Sequence, residues 1–218
     1  MKKGDIVLVD FVAKTDQGEI FDLTKEDVAK KNNIYNEKIE YKPIALIIGE
    51  GTTMPGLEEG LLKMKEGEQK EVKIAPEKGF GNRDAKLIKI VPEKMSQGKI
   101  QPAPGLIVDF SGQKGRIQSS RGGRVRIDFN HPLAGKTLIY DIKITKNVTD
   151  NKEKIEAIFS LFNLNPEVTI KTDKAELKFP SPLHPILKDK MTEMIKKYTK
   201  VKTVSYDEPN PDTKKNKK

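Results

Sequence analysis

Apolar and polar positions alternate with a period of two over most of this chain and give way to helical spacing in four places. Residues 5–14 read Asp-Ile-Val-Leu-Val-Asp-Phe-Val-Ala-Lys, a β-rich run that stops at the turn Thr15-Asp16-Gln17-Gly18, and Ile20-Phe21 resumes a short strand. Thr24 to Asn33 predicts a helix, with Thr24 capping its first N–H groups, Glu26 and Asp27 in its first turn and Asn32-Asn33 ending it. Ile44 to Ile48 is a strand. Met54-Pro55-Gly56 leads into an amphipathic helix whose Leu57, Leu61 and Met64 recur at i, i+4 and i+7. After the turn Lys65-Glu66-Gly67-Glu68, Gln69 to Ile74 alternates as a strand.

A second unit starts near Lys86. Leu87 to Val91 and Leu106 to Phe110 predict strands, with a short helical turn at Pro92-Glu93-Lys94-Met95 between them. Ser111-Gly112-Gln113-Lys114-Gly115 and Arg121-Gly122-Gly123 read as hairpin connections, and the strand after them sets Val125, Ile127 and Phe129 against Arg124, Arg126 and Asp128. The chain then returns through Pro132-Leu133 to a last strand over Thr137 to Thr145. A third unit follows: a helix from Lys152 to Leu164, strands at Val168–Lys171 and Ala175–Phe179, a helix opened by Pro185 and running to Tyr198, and a strand from Val201 to Tyr206. The expected division is therefore 1–85 with 131–148, a β-rich insert at 86–130, an α+β domain at 149–207, and a disordered basic tail at 208–218.

Composition narrows the function more by exclusion than by signal. With 218 residues the chain has room for one large or two to three small domains, and with no cysteine it holds neither a disulfide nor a thiolate metal site. No apolar run reaches membrane-spanning length, which with the lack of cysteine leads us to expect a soluble, cytoplasmic protein. The net charge of +9 is spread as lysine among acidic residues, except in the arginine cluster from Arg116 to Arg126 and the tail Lys214-Lys215-Asn216-Lys217-Lys218. There is no His/Cys/Asp/Glu cluster at metal-ligand spacing and no phosphate-cradling glycine loop. The two histidines, His131 and His184, each adjoin a proline, and His131 reads as a turn residue. Hydrolytic, metal and nucleotide chemistry are poorly supported.

Six stretches carry a resemblance: Gly18-Glu19-Ile20-Phe21-Asp22, Ile47-Ile48-Gly49-Glu50, Met54 to Leu61, Pro76-Glu77-Lys78-Gly79-Phe80-Gly81, Phe129-Asn130-His131-Pro132-Leu133-Ala134-Gly135-Lys136-Thr137-Leu138, and Ile139 to Ile144. In this order, over about half of the chain (1–84 and 132–147), they resemble an FKBP-type peptidyl-prolyl isomerase of the SlyD kind with a domain inserted in its flap. They come closest to the long archaeal members with a C-terminal extension. The resemblance implies an α+β fold, an antiparallel half-barrel sheet wrapped on one helix, and cofactor-free prolyl cis–trans isomerisation. It implies a catalytic pocket of Phe11, Phe21, Asp22, Phe80 and Tyr140, with Ile44, Thr53, Met54, Leu57 and Leu133 binding substrate. By analogy Phe21 is a wall, Asp22 lies near the substrate carbonyl, a backbone N–H at Thr53–Met54 binds ligand, and Leu57 is the floor. Phe11 and Phe80 stand where the family usually has tyrosine, and Leu57 where many members have tryptophan, which leaves macrolide binding open. The metal-binding tail of SlyD is replaced by lysines, so no metal function is expected.

In relatives of this kind the insert resembles a chaperone module that holds unfolded chain beside the pocket. Candidate contacts are Ile90, Met95, Ile100, Leu106, Ile107, Val108 and Phe110. The expected partners are unfolded or nascent polypeptides with X-Pro bonds; ribosome contact and homodimerisation through the C-terminal domain stay open. Two rival readings stand beside this one: a holdase without catalysis on the same scaffold, and a ribosome- or RNA-associated protein using the Arg116–Arg126 hairpin and the lysine tail.

Overall fold

The computed structural model describes residues 1–93, 102–110 and 112–209. Met95, Ile100 and the lysine tail at 214–218 lie outside the described residues, as does most of the turn expected at 92–95. The chain divides into two compact units, one holding Met1–Ile74 and the chain from Ile139 onward, the other Ala75–Leu138.

The first unit is organised on β1 (Ile6–Thr15), which pairs antiparallel with β2 (Ile20–Leu23) along its second half and with β3 (Ile44–Ile47) along its first. With β9 (Leu138–Val148) and β4 (Gln69–Ile74) these strands form a five-stranded sheet in the order β2-β1-β9-β4, with β3 beside β1. Ile6-Val7-Leu8-Val9 is an unbroken apolar run because both of its faces are covered. Facing one way, Ile6 and Leu8, with their cross-strand partners Ile47 and Ala45, pack with Ile155, Ile158, Phe159, Leu177, Met191 and Ile195. Facing the other way, Val7, Val9, Phe11 and Ala13 are buried on the side that carries Leu46.

Helix α2 (Pro55–Leu62) opens with Pro55 in its first turn and buries Leu57 and Leu61; Met64 is fully buried just beyond its end. Gly60 makes the approach of α2 to β4 possible, since a Cβ there would stand 2.9 Å from both γ-methyls of Val72. Helix α1 (Glu26–Lys31) is shorter than the expected 24–33, and Thr24 does not cap it: the N-cap residue is Lys25, without a side-chain hydrogen bond. Thr24 is instead buried against β1.

The C-terminal segment supplies α3 (Asn151–Ser160), β10 (Glu167–Lys171), β11 (Lys174–Lys178), α4 (Pro185–Tyr198) and β12 (Thr203–Asp207). Asp150 caps α3 by accepting from the N–H groups of Lys152 and Glu153. The three strands form their own sheet, antiparallel between β10 and β11 but parallel between β11 and β12, because α4 carries the chain back before β12 is laid down. The α-β-β-α-β order matches the expectation from sequence. Its packing differs from that of a self-contained domain at 149–207, since Ile6, Ala45 and Ile47 are members of its core.

In the second unit β5 (Ile88–Pro92), β6 (Ile107–Phe110), β7 (Gln113–Arg121) and β8 (Arg124–Asp128) form an antiparallel sheet in the order β5-β8-β7-β6. Its core is Val91, Ile117, Val125 and Ile127, with Val108, Phe110 and Phe129 packed against them. The connection expected at 111–115 is shorter than that, because β7 begins at Gln113 and Gly115 lies within it. A Cβ at Gly115 would come within 2.5 Å of Ile127 and 2.8 Å of the Phe129 ring, so a side chain there would displace this small core.

Replacing Gly60 sets helix propensity against packing. Alanine gains up to about 1 kcal/mol of propensity, but the stiff isopropyl of Val72 cannot turn both methyls away, and overpacking costs about 1–3 kcal/mol. Gly60→Ala is expected to be net destabilising in urea unfolding, and the penalty to shrink when Val72→Ala is added. An equal penalty in the Val72→Ala background would disprove the close approach.

Candidate active site

The site begins with the backbone of Phe11. The Thr24 hydroxyl accepts from the Phe11 N–H at 2.9 Å and donates to Asp10 Oδ1 at 2.9 Å, while the Thr24 N–H donates to the Phe11 carbonyl at 3.0 Å. This latch fixes the end of β2 against β1 just where β2 delivers Phe21 and Asp22. A shift in the β1–β2 register between Ala13 and Lys14 lies beside it.

Three rings meet there. Phe11 lies 5.6 Å from Tyr140, tilted, and Phe21 meets Tyr140 edge-on at 6.0 Å and 76°. Phe11 and Tyr140 are buried and Phe21 is half-buried, so Phe21 forms the open side of the cluster. Such offset and edge contacts are the geometry that aromatic quadrupoles favour. Tyr140 comes from β9, where alternation places Tyr140, Ile142 and Ile144 on the buried face.

Asp22 sets the electrostatics. Its Oδ1 accepts from the Leu23 N–H at 2.9 Å. Much of the residue is open to solvent, yet enough protein surrounds the carboxylate that burial raises its pKa above the ordinary carboxylate value, against the opposing effect of the Leu23 amide. The Tyr140 phenol is pushed up to about 12, first by burial and second by the negative charge of Asp22. It stays a neutral hydroxyl, able to donate a proton, throughout the physiological range.

Thr53 and Met54 stand at the start of α2, with Met54 as its N-cap in extended conformation. The Met54 carbonyl accepts from the Leu57 and Glu58 N–H groups, whereas among the described residues the Thr53 and Met54 amides have no acceptor. Leu57 is buried in the first turn. Ile44 lies opposite Val9, on the face of the sheet that bears Phe11, and is 40% exposed. Ile44 also borders a cleft of about 830 Å³ with Leu8, Pro43 and Ala157, but the charges in that cleft are used internally: Lys146 pairs with Glu153 at 2.7 Å.

Phe80 and Leu133 belong to the second unit. Phe80 is 37% exposed and stacks on His131 with ring centroids 4.3 Å apart and planes 8° from parallel. His131 is a turn residue, as the sequence implied: its carbonyl accepts from Ala134 N–H and its Nδ1 from Leu133 N–H. Its backing of the Phe80 ring was not expected. Neither was the Thr24 latch, although a threonine directly after Phe-Asp-Leu was the available signal. The structure thus brings Phe11, Phe21, Asp22 and Tyr140 together, and leaves Thr53, Met54, Leu57 and Ile44 as further positions of the same unit. Among the described residues no group of three or more His, Asp or Glu side chains is placed to hold a metal ion, and no helix is long and apolar enough to cross a membrane.

Comparison with known proteins gives the class of protein to which these residues belong. Residues 1–145 match the model of the FKBP-type peptidyl-prolyl cis-trans isomerase family, and the chain belongs to that family. It is 42% identical over 145 residues to a short-type peptidyl-prolyl cis-trans isomerase of Methanocaldococcus jannaschii, an alignment covering 66% of this chain and 92% of that protein. It is 32% identical over 118 residues to the FKBP-type isomerase SlyD of Helicobacter pylori, covering 52% and 63%. With the 16 kDa FKBP-type isomerase of Escherichia coli the identity is 28% over 149 residues, covering 66% and 91%.

Two measurements check this geometry. Thr24→Val leaves the Phe11 amide without its acceptor and is expected to cost about 1–3 kcal/mol in unfolding experiments, with Thr24→Ser recovering most of it. In Asp22→Asn the Tyr140 phenol is expected to titrate below about 12 yet above an ordinary tyrosine, because burial, the larger cause, remains. Tyrosine ring-carbon NMR reads this directly, and an unchanged Tyr140 titration would separate the two groups.

Proposed function

We propose that Phe11, Phe21, Asp22 and Tyr140 form the pocket in which this chain isomerises X-Pro bonds, and that residues 86–130 are a flap insert that holds client polypeptide. The observation that carries the first part is the apolar three-ring cluster with a single carboxylate at its open side. Rotation about a peptide C–N bond meets a barrier of ~18–20 kcal/mol because amide resonance must be broken. The two X-Pro ground states differ by only about 0.5–1 kcal/mol, so the task is purely kinetic. A twisted amide has lost its charge separation, and an apolar, water-poor wall therefore favours it over the planar form. Phe11 and Phe21 supply that wall for the prolyl ring. Tyr140, held neutral, donates to the polypeptide, and the Asp22 charge favours the carbon end of the substrate carbonyl dipole. The unpartnered amides of Thr53 and Met54 take a backbone carbonyl of the substrate, Leu57 is the floor, Ile44 completes the walls, and Phe80 and Leu133 are assigned to the substrate by the family resemblance.

The insert adds capture. Of the expected contact residues, Ile90 and Ile107 are 65% and 63% exposed and Leu106 is 40% exposed, whereas Val108 and Phe110 pack into the insert's own core. Among the described residues, these exposed three are the ones available to a client. Weak capture on the same chain as a pocket raises the local concentration of prolines by intramolecularity alone.

Purified protein is expected to accelerate isomerisation of a short X-Pro peptide, with kcat/KM falling roughly tenfold or more in Asp22→Ala and Phe80→Ala while folding is intact, about 1.4 kcal/mol each. An inert wild type would sink the catalytic reading. Deleting 87–130 is expected to leave the short-peptide rate in place but to slow catalysis of a proline-limited refolding reaction by an order of magnitude; equal retention of both would remove the capture role.

A further inference from the structure

The insert sheet has one face over its core and one face toward solvent, and the solvent face has an unusual composition. Cross-strand partners in an antiparallel sheet share a face, so the pairings Ile90↔Arg126, Arg121↔Arg124 and Ile107↔Arg116 place six side chains together on the side away from Val91, Ile117, Val125 and Ile127. All four arginines are exposed, as are both isoleucines. Among the described residues no salt bridge engages any of the four arginines. The carboxylates in register on this face are already occupied: Asp128 is bonded to Arg83 and Asn130, and Asp109 accepts from Gly112 N–H.

The isoleucines stand on the two outer strands, β5 and β6, and the arginines on the central pair. Three inter-strand steps and one offset in register separate Ile90 from Ile107, about 15 Å at ~4.8 Å per strand. An extended chain laid across the sheet advances ~3.4 Å per residue and presents every second side chain to it, so residues i and i+4 span nearly that distance with i+2 above the arginines. We propose that this face captures extended polypeptide segments of the form apolar-x-acidic-x-apolar, the carboxylate meeting the arginines and the flanking aliphatic groups the two isoleucines. This rests on the capture role proposed for the insert and adds to it the chemical class of the client. Charge complementarity chooses this occupant. A second copy of the same face would set arginine against arginine, and a nucleic acid would meet no aromatic platform among these six residues.

The test uses the full chain and three proline-free fluorescent peptides with repeated Leu-Ser-X-Ser-Leu units, X being Glu, Gln or Lys, at about 0.1 M salt. Fluorescence anisotropy is expected to show the Glu peptide binding about tenfold or more tightly than the Gln peptide, and the Lys peptide more weakly still. Arg116→Gln with Arg126→Gln should abolish the Glu preference while leaving isomerisation of a short X-Pro peptide unchanged. Ile90→Ser with Ile107→Ser should weaken both the Glu and Gln peptides. Equal binding of the Glu and Gln peptides overturns the acidic preference and leaves capture standing. No binding by any peptide overturns capture itself. Tighter binding of a uridine oligonucleotide than of the Glu peptide, unaffected by the isoleucine substitutions, overturns the proposal in favour of nucleic acid.

Discussion

Everything in the first unit depends on the register of β1. Its side chains alternate, so a slip of one residue would exchange the set that faces α3 and α4 with the set that builds the aromatic site. Several independent contacts prevent it. Ile6 to Val9 pair with Ile47 to Ile44, the Thr145 hydroxyl donates to the Leu8 carbonyl at 2.9 Å, and Thr24 holds both the N–H and the carbonyl of Phe11. The aromatic cluster and the C-terminal layer are thus two sides of one strand, and the backbone of Phe11 is held by Thr24.

That rigidity suits the chemistry. An isomerase of this class needs no nucleophile and no cofactor; it needs a surface that prefers a less polar amide and that does not relax around the planar one. Phe11 and Tyr140 are buried and tilted against each other, Phe21 meets Tyr140 edge-on, and in the proposed role these rings are that surface. Burial first and the Asp22 charge second keep the Tyr140 phenol protonated, so these residues present one neutral hydroxyl and one carboxyl group, with two amides that have no acceptor among the described residues.

Sequence periodicity revealed most of the elements because most strands alternate and the long helices carry apolar positions at helical spacing; α4 runs from Pro185 to Tyr198 as expected, whereas α3 ends at Ser160, short of the expected Leu164. It failed where a residue's role depended on what covers it. Thr24 has the right type and place to cap α1, but the N–H and carbonyl of Phe11 on a neighbouring strand compete for it more effectively than the helix does. Val108 and Phe110 look as apolar as Ile107, yet alternation alone does not say which face is covered, and only the pairing of Val108 with Gly115 puts it inside. The continuous run Ile6-Val7-Leu8-Val9 was the one available hint that the segment after 149 shares a core with β1, since a strand with one wet face has no reason to be apolar at every position. Of the site, Phe21, Asp22 and Tyr140 were legible through the family resemblance, whereas the Thr24 latch and the His131 stack behind Phe80 arise from backbone geometry that no motif expresses.

The insert shows the same logic under tighter limits. Four buried side chains are a small core, and Gly115 is needed merely to let the Phe129 ring lie over the sheet. A sheet of that size has one face to spend on stability, and the alternation that fills it fixes every second residue of the other face in known register. Exposed aliphatic residues on outer strands invite edge-to-edge association, which proteins commonly oppose with charge. Arginine serves that purpose here between the two isoleucines. The same arrangement opposes a like-charged copy and, in the capture role proposed above, admits an acidic strand, so that resistance to aggregation and choice of client would follow from one pattern of alternation.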